Sequence, residues 1–153
     1  MFMCENERTR QSSKYNVKNR YRNQILLNNG EPLSLYRLSE RIFDVRDLVK
    51  FSDEKAKVTQ ITATENTIIF VWGVKPGQEV EAHTHPGGQD TRIMVQGELT
   101  YYLGNGKTKI IHDGQIDIAS KNYIHGCINE GKQDAIFVSI YSPRDIGFQP
   151  AQK

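Results

Sequence analysis

From Val58 onward the chain keeps a steady beat: short runs of β-branched and aromatic residues are broken by turn residues at intervals too short for helices. The runs are 58–63, 67–74, 79–85, 91–95, 98–103, 107–111, 115–119, 123–128 and 134–141. Pro76-Gly77, Pro86-Gly87-Gly88, Asn105-Gly106, Asp113-Gly114 and Asn129-Glu130-Gly131 stand among the punctuation. Strands this short and this evenly spaced predict an all-β antiparallel sandwich or barrel.

Upstream the pattern is lost. Residues 1–30 form a polar arm with six basic residues against Glu5 and Glu7, whereas the remainder holds 14 basic and 16 acidic residues. Without interleaved aromatics the arm reads as a solvated tail, and nucleic acid is not an expected partner. Residues 31–57 mix a short helical stretch with a lead-in to the barrel at 58–141, and residues 142–153 form a C-terminal tail. No run approaches a membrane span or a signal peptide, and Cys4 with Cys127 makes no disulfide framework, so the expectation is a cytoplasmic protein away from membranes.

Chemistry concentrates in HTHPGGQD, residues 83–90. Alternation in a strand points His83 and His85 to one side. After the Pro-Gly-Gly turn the first acid, Asp90, can aim at the same point, and His125 in a later strand can supply a third imidazole. Such a set suits one divalent transition metal: Fe, Mn, Ni, Zn or Cu. The plainer alternative is two histidines on a wet strand face. Gln89 is the neutral alternative to Asp90, with the carboxylate the better ligand for a hard cation.

The spacing resembles the two signatures of the cupin superfamily. Gly77, five residues, His83-Thr84-His85, four residues, Asp90, six residues and Gly97 follow the first; Gly114, Ser120, Asn122, His125 and Asn129 follow the second. The resemblance covers residues 58–141 and implies a jelly-roll β-barrel enclosing a metal, with His83, His85 and His125 as ligands. Asp90 stands where the family usually has Glu, and Ser120 and Asn122 replace its Pro and Gly. Asn tolerates a left-handed backbone, so the turn before His125 is expected to survive.

Alternation also predicts inward positions for Glu81, Arg92 and Met94, and sets Tyr123 and Cys127 on the face of His125. Arg92 is expected to pair with an internal acid such as Glu81, in a purely structural role or otherwise, or to fix a substrate carboxylate, enolate or phosphate; Tyr123 is a candidate for assisting proton transfer. Cys127 reads as a small core residue, His112 as a surface residue, and Phe70 and Trp72 as barrel wall. The resemblance implies a metal-dependent enzyme of dioxygenase, lyase, cyclase or decarboxylase type, acting on a small organic acid or an enolisable or aromatic compound. The alternative is a non-enzymatic module that binds or senses a small ligand. A homodimer is the family-based expectation.

Overall fold

The structure, a computed structural model, describes residues 42–153. The basic arm at 1–30 and the first part of the lead-in segment lie outside the described residues. Ten strands follow one short helix: α1 (Val45–Leu48), β1 (Lys57–Ala63), β2 (Ile68–Val74), β3 (Glu79–Thr84), β4 (Gln89–Gln96), β5 (Glu98–Gly104), β6 (Lys107–His112), β7 (Ile116–Ala119), β8 (His125–Ile128), β9 (Ala135–Ser142) and β10 (Gln149–Pro150). They make two five-stranded antiparallel sheets, ordered β1-β2-β9-β4-β7 and β10-β3-β8-β5-β6. This is the all-β antiparallel architecture that the turn spacing predicts and the jelly roll that the cupin resemblance implies.

Each sheet buries one face against the other. Met94, Phe137, Tyr101, Leu99, Val74 and Cys127 fill the space between them, and Trp72 stacks on Phe137 at 5.8 Å. The outer face of the first sheet is apolar as well, because residues at odd positions of β2 and even positions of β9 meet α1. Leu48 packs there with Ile61, Val71 and Ile136. Asp44 caps the helix by accepting the Arg46 N–H at 2.9 Å, satisfying a donor that has no partner within the helix.

The left-handed residues fall where the chain must reverse. Asn105 (φ 56°) and Gly106 (φ 70°) close the β5–β6 hairpin, and Asn122 (φ 65°) turns the chain into β8. The turn ahead of His125 therefore survives the loss of the family glycine, as expected.

The C-terminal tail, which lies outside the cupin resemblance, returns to the barrel: β10 pairs with β3, setting Gln149 against Thr84 and Pro150 against His83. The return passes very close to the turn between β3 and β4. A Cβ on Gly88 would collide with the Ile146 side chain and lie 2.6 Å from the Ser142 carbonyl oxygen. Gly88→Ala is expected to cost about 1–3 kcal/mol, because neither backbone nor buried side chain can yield freely. Urea unfolding measures it, and an unchanged midpoint would show that the tail moves aside at no cost.

Candidate metal centre

His83, His85 and His125 are all buried, and one nitrogen of each ring lies within 4.8 Å of the others. Ring centroids are 4.3 Å apart for His83 and His125, 4.8 Å for His83 and His85, and 4.9 Å for His85 and His125. The other nitrogen of each ring is fixed by a backbone carbonyl. His83 Nδ1 donates to the Glu81 oxygen at 2.7 Å, and His125 Nδ1 to the Tyr123 oxygen at 2.8 Å. His85 Nδ1 donates to the Gly147 oxygen at 2.5 Å.

A carbonyl can only accept, so each Nδ1 carries the hydrogen and each Nε2 keeps a free lone pair. Burial, then repulsion from His125, lowers the His83 pKa to about 3, which leaves that imidazole neutral at ordinary pH. Burial also lowers His85. Two of the three Nε2 atoms, those of His85 and His125, are buried without a hydrogen-bond partner. Neutral, oriented donors with no protein acceptor are what a divalent transition metal requires, so the residues fit such an ion.

Asp90 enters from the opposite sheet. Its Oδ2 accepts from Arg92 Nε at 2.9 Å and lies 3.5 Å from His125 Nε2, while Oδ1 accepts from Ser139 Oγ at 2.5 Å. Burial alone would raise its pKa; the Arg92 charge, with hydrogen bonds from Ser139 and Arg92, outweighs it and holds the carboxyl well below the usual range. The carboxylate thus borders the imidazoles while already engaged by two other donors. Gln89 lies on the other face of β4, where its amide donates to Thr91 Oγ1 at 2.9 Å. Adjacent strand residues face opposite ways, so Gln89 does not share the direction of Asp90.

Two expectations about the surroundings are corrected, the inward placing of Glu81 and that of Tyr123, while Arg92 meets the internal acid expected for it. Glu81 is exposed, because a register shift between Val80 and His83 breaks the alternation that would have turned it inward. Arg92 therefore pairs with Asp90, and its guanidinium carbon lies 5.4 Å from the Tyr101 ring centre and 5.6 Å from that of Phe137. Tyr123 is 64% exposed, since β8 begins only at His125 and Tyr123 still belongs to the turn. What Tyr123 gives the site is its carbonyl. Met94 and Cys127 are buried as expected, burial pushing the Cys127 thiol up to about 12. His112 is exposed, 3.6 Å from Glu98.

Four residues at the site went unrecognised. Ser139 and Tyr141 share the inner face of β9, Tyr141 lying 4.9 Å from the His85 ring and 5.1 Å from Phe70. A serine between Phe137 and Tyr141 on an inward face was a readable signal. Gly147 and Phe148 gave none. Phe148 stacks on His83 at 4.7 Å and approaches His85 at 6.3 Å.

Residues 70–141 match the family model of the cupin domain. A solved structure of a conserved protein with a double-stranded β-helix domain, from Klebsiella pneumoniae, is 38% identical. The match covers 74% of this chain and 99% of that one, with a TM-score of 0.72. The chain belongs to the cupin superfamily. A germin-like protein from Morus alba is 27% identical over 78 residues, 48% of this cupin and 37% of that relative, so the cupin spans about a third of the curated relative it matches. The polyketide cyclase RemF from Streptomyces resistomycificus shares the fold at 12% identity, covering 65% of this chain and 73% of its own, with a TM-score of 0.59. No helix among the described residues of this cupin is long and apolar enough to cross a membrane.

Proposed function

We propose that this cupin is a metal-dependent enzyme acting on a small organic acid or an enolisable or aromatic compound. One observation carries the reading: three buried imidazoles, each with its Nδ1 bound to a backbone carbonyl, bring one nitrogen of each ring within 4.8 Å of the others. His83, His85 and His125 would hold the ion. Bound there, a divalent metal supplies Lewis acidity to the oxygens of a chelating substrate.

The chain's own residues account for the rest. Asp90, held ionised, is too weak a base to carry a proton at neutral pH and instead balances the Arg92 charge beside His125. Arg92 is buried and gives its Nε to Asp90, which holds that carboxylate in place, while its Nη1 is buried without a hydrogen-bond partner. Burial raises the Tyr141 phenol, which keeps its proton and can serve as a hydrogen-bond donor at the site. The aromatic surface of Tyr141, Phe70 and Phe148 favours a planar substrate over a flexible polar one. RemF, named as a polyketide cyclase, supports enolisable compounds as substrates within reach of this barrel, by analogy of fold alone.

The test reconstitutes the protein separately with Fe(II), Mn(II), Ni(II), Zn(II) and Cu(II). Each form is then incubated with hydroxy acids, 1,3-diketones and catechols, and products are followed by mass spectrometry. Turnover with one metal that stops when a chelator is added is the expected result. Stoichiometric metal without turnover of any class, together with tight binding of one unmodified compound, would replace the enzyme with a ligand-binding module.

A further inference from the structure

The metal reading rests on side chains from β3 and β8, yet the contacts around them lead to the far end of the chain. His83 and His125 are each held by the carbonyl two residues earlier, a local arrangement that any similar strand can make. His85 has no such partner. Its Nδ1 reaches Gly147, 62 residues away, and Phe148 lies flat against His83 with an interplanar angle of 26° while its own outer face is open to solvent.

This segment is fastened at several points along its length. Ile146 is buried at 2% exposure, and its carbonyl accepts the Gly87 N–H at 2.7 Å. The Ala151 N–H donates to the Ala82 carbonyl at 3.0 Å, extending the two-residue pairing of β10 with β3. At the end, Lys153 Nζ lies 2.7 Å from Glu79 Oε1, which also accepts from Tyr102 Oη at 2.9 Å; Lys153 sits 4.7 Å from the Tyr102 ring centre. A two-residue ladder holds little by itself, and the fastenings keep Gly147 and Phe148 over the imidazoles.

We propose that residues 144–153 are a working part of the metal centre: the Gly147 carbonyl is the positioning group for His85, and Phe148 is the cover that limits exchange at His83. An acceptor on the distal nitrogen fixes the ring's tautomer and direction and makes the metal-facing nitrogen more basic. Without the segment His85 is free to turn, and the His83 ring is open to water. The inference rests on the metal reading and goes beyond it by giving retention of the ion to a segment outside the cupin signatures.

The experiment compares the full chain with three variants: a chain ending at residue 146, Gly147→Ala and Phe148→Ala. Gly147 has φ 69° and a Cβ there would lie 3.1 Å from Pro86, so alanine displaces the carbonyl without removing the segment. Ni(II) and Zn(II) affinities are read by chelator competition, release rates by transfer to excess chelator, and folding by thermal melting of the metal-free protein. Shortening and Gly147→Ala are expected to weaken binding about 10–100-fold. Phe148→Ala is expected to speed release with a smaller change in affinity. If the shortened chain fails to melt cooperatively, the two point variants decide. Equal affinity and equal release in folded variants would overturn the inference while leaving the centre intact; a full chain that takes up neither metal would overturn both together.

Discussion

Metal-free Arg92→Met is expected to lose about 3–5 kcal/mol of folding stability at neutral pH, the cost of stranding a buried charge. Asp90 is 1% exposed, and the guanidinium is its only full countercharge among the described residues. Methionine also gives up the stacking of Arg92 beside Tyr101 and Phe137. The pH dependence has a definite sign. In the native chain the Asp90 pKa is lowered, so its contribution is present above the ordinary carboxylate range and is lost as pH falls through the lowered value. Without Arg92 the burial influence dominates and the carboxyl moves up, so the variant's deficit is largest at neutral pH and shrinks toward pH 4. A double variant, Asp90→Leu with Arg92→Met, should recover much of the loss, since an apolar pair leaves no charge unpaired. Urea unfolding at the two pH values checks this; a deficit below about 1 kcal/mol, or one independent of pH, would show that the Ser139 hydrogen bond suffices for Asp90.

His125→Ala is expected to weaken binding of Ni(II) or Zn(II) by about a hundredfold to a thousandfold. A structural zinc site is worth about 10–16 kcal/mol over four ligands, so each contributes roughly 2.5–4 kcal/mol. His83→Ala should behave alike, because both rings are buried, held at Nδ1 and among the three whose ligand nitrogens lie within 4.8 Å of one another. His112→Ala is the control: an exposed imidazole beside Glu98, it should leave affinity unchanged. Elemental analysis and chelator competition give the answer. Variants that keep stoichiometric metal would mean that the ion binds elsewhere on the protein.

Nine of the ten strands were legible because each has enough β-branched and aromatic residues between turn signals. β10 was not, since Gln149 and Pro150 carry no pattern and form a strand only by lying against β3. The three histidines were legible from spacing, because two lie one residue apart and the third follows a recognisable turn. Alternation failed where the backbone does not alternate: the register shift in β3 turns Glu81 outward, and the late start of β8 leaves Tyr123 in a turn. Arg92 and Asp90, two apart on β4, were a visible same-face pair. An internal acid for Arg92 is legible there, though not that it is Asp90 rather than Glu81. Gly147 could not be found from sequence, because a backbone carbonyl has no residue signature.

The two sheets contribute differently to the site. His83 and His125 stand on β3 and β8, His85 follows β3 by one residue, and the segment over them runs into β10, whereas Asp90, Ser139 and Tyr141 come from the other sheet. The first wall would hold the ion and the opposite wall would set the polarity around it. For protein engineering this separates two design problems: a library at positions 70, 139 and 141 can vary polarity, shape and proton donors around an ion whose anchorage it leaves alone.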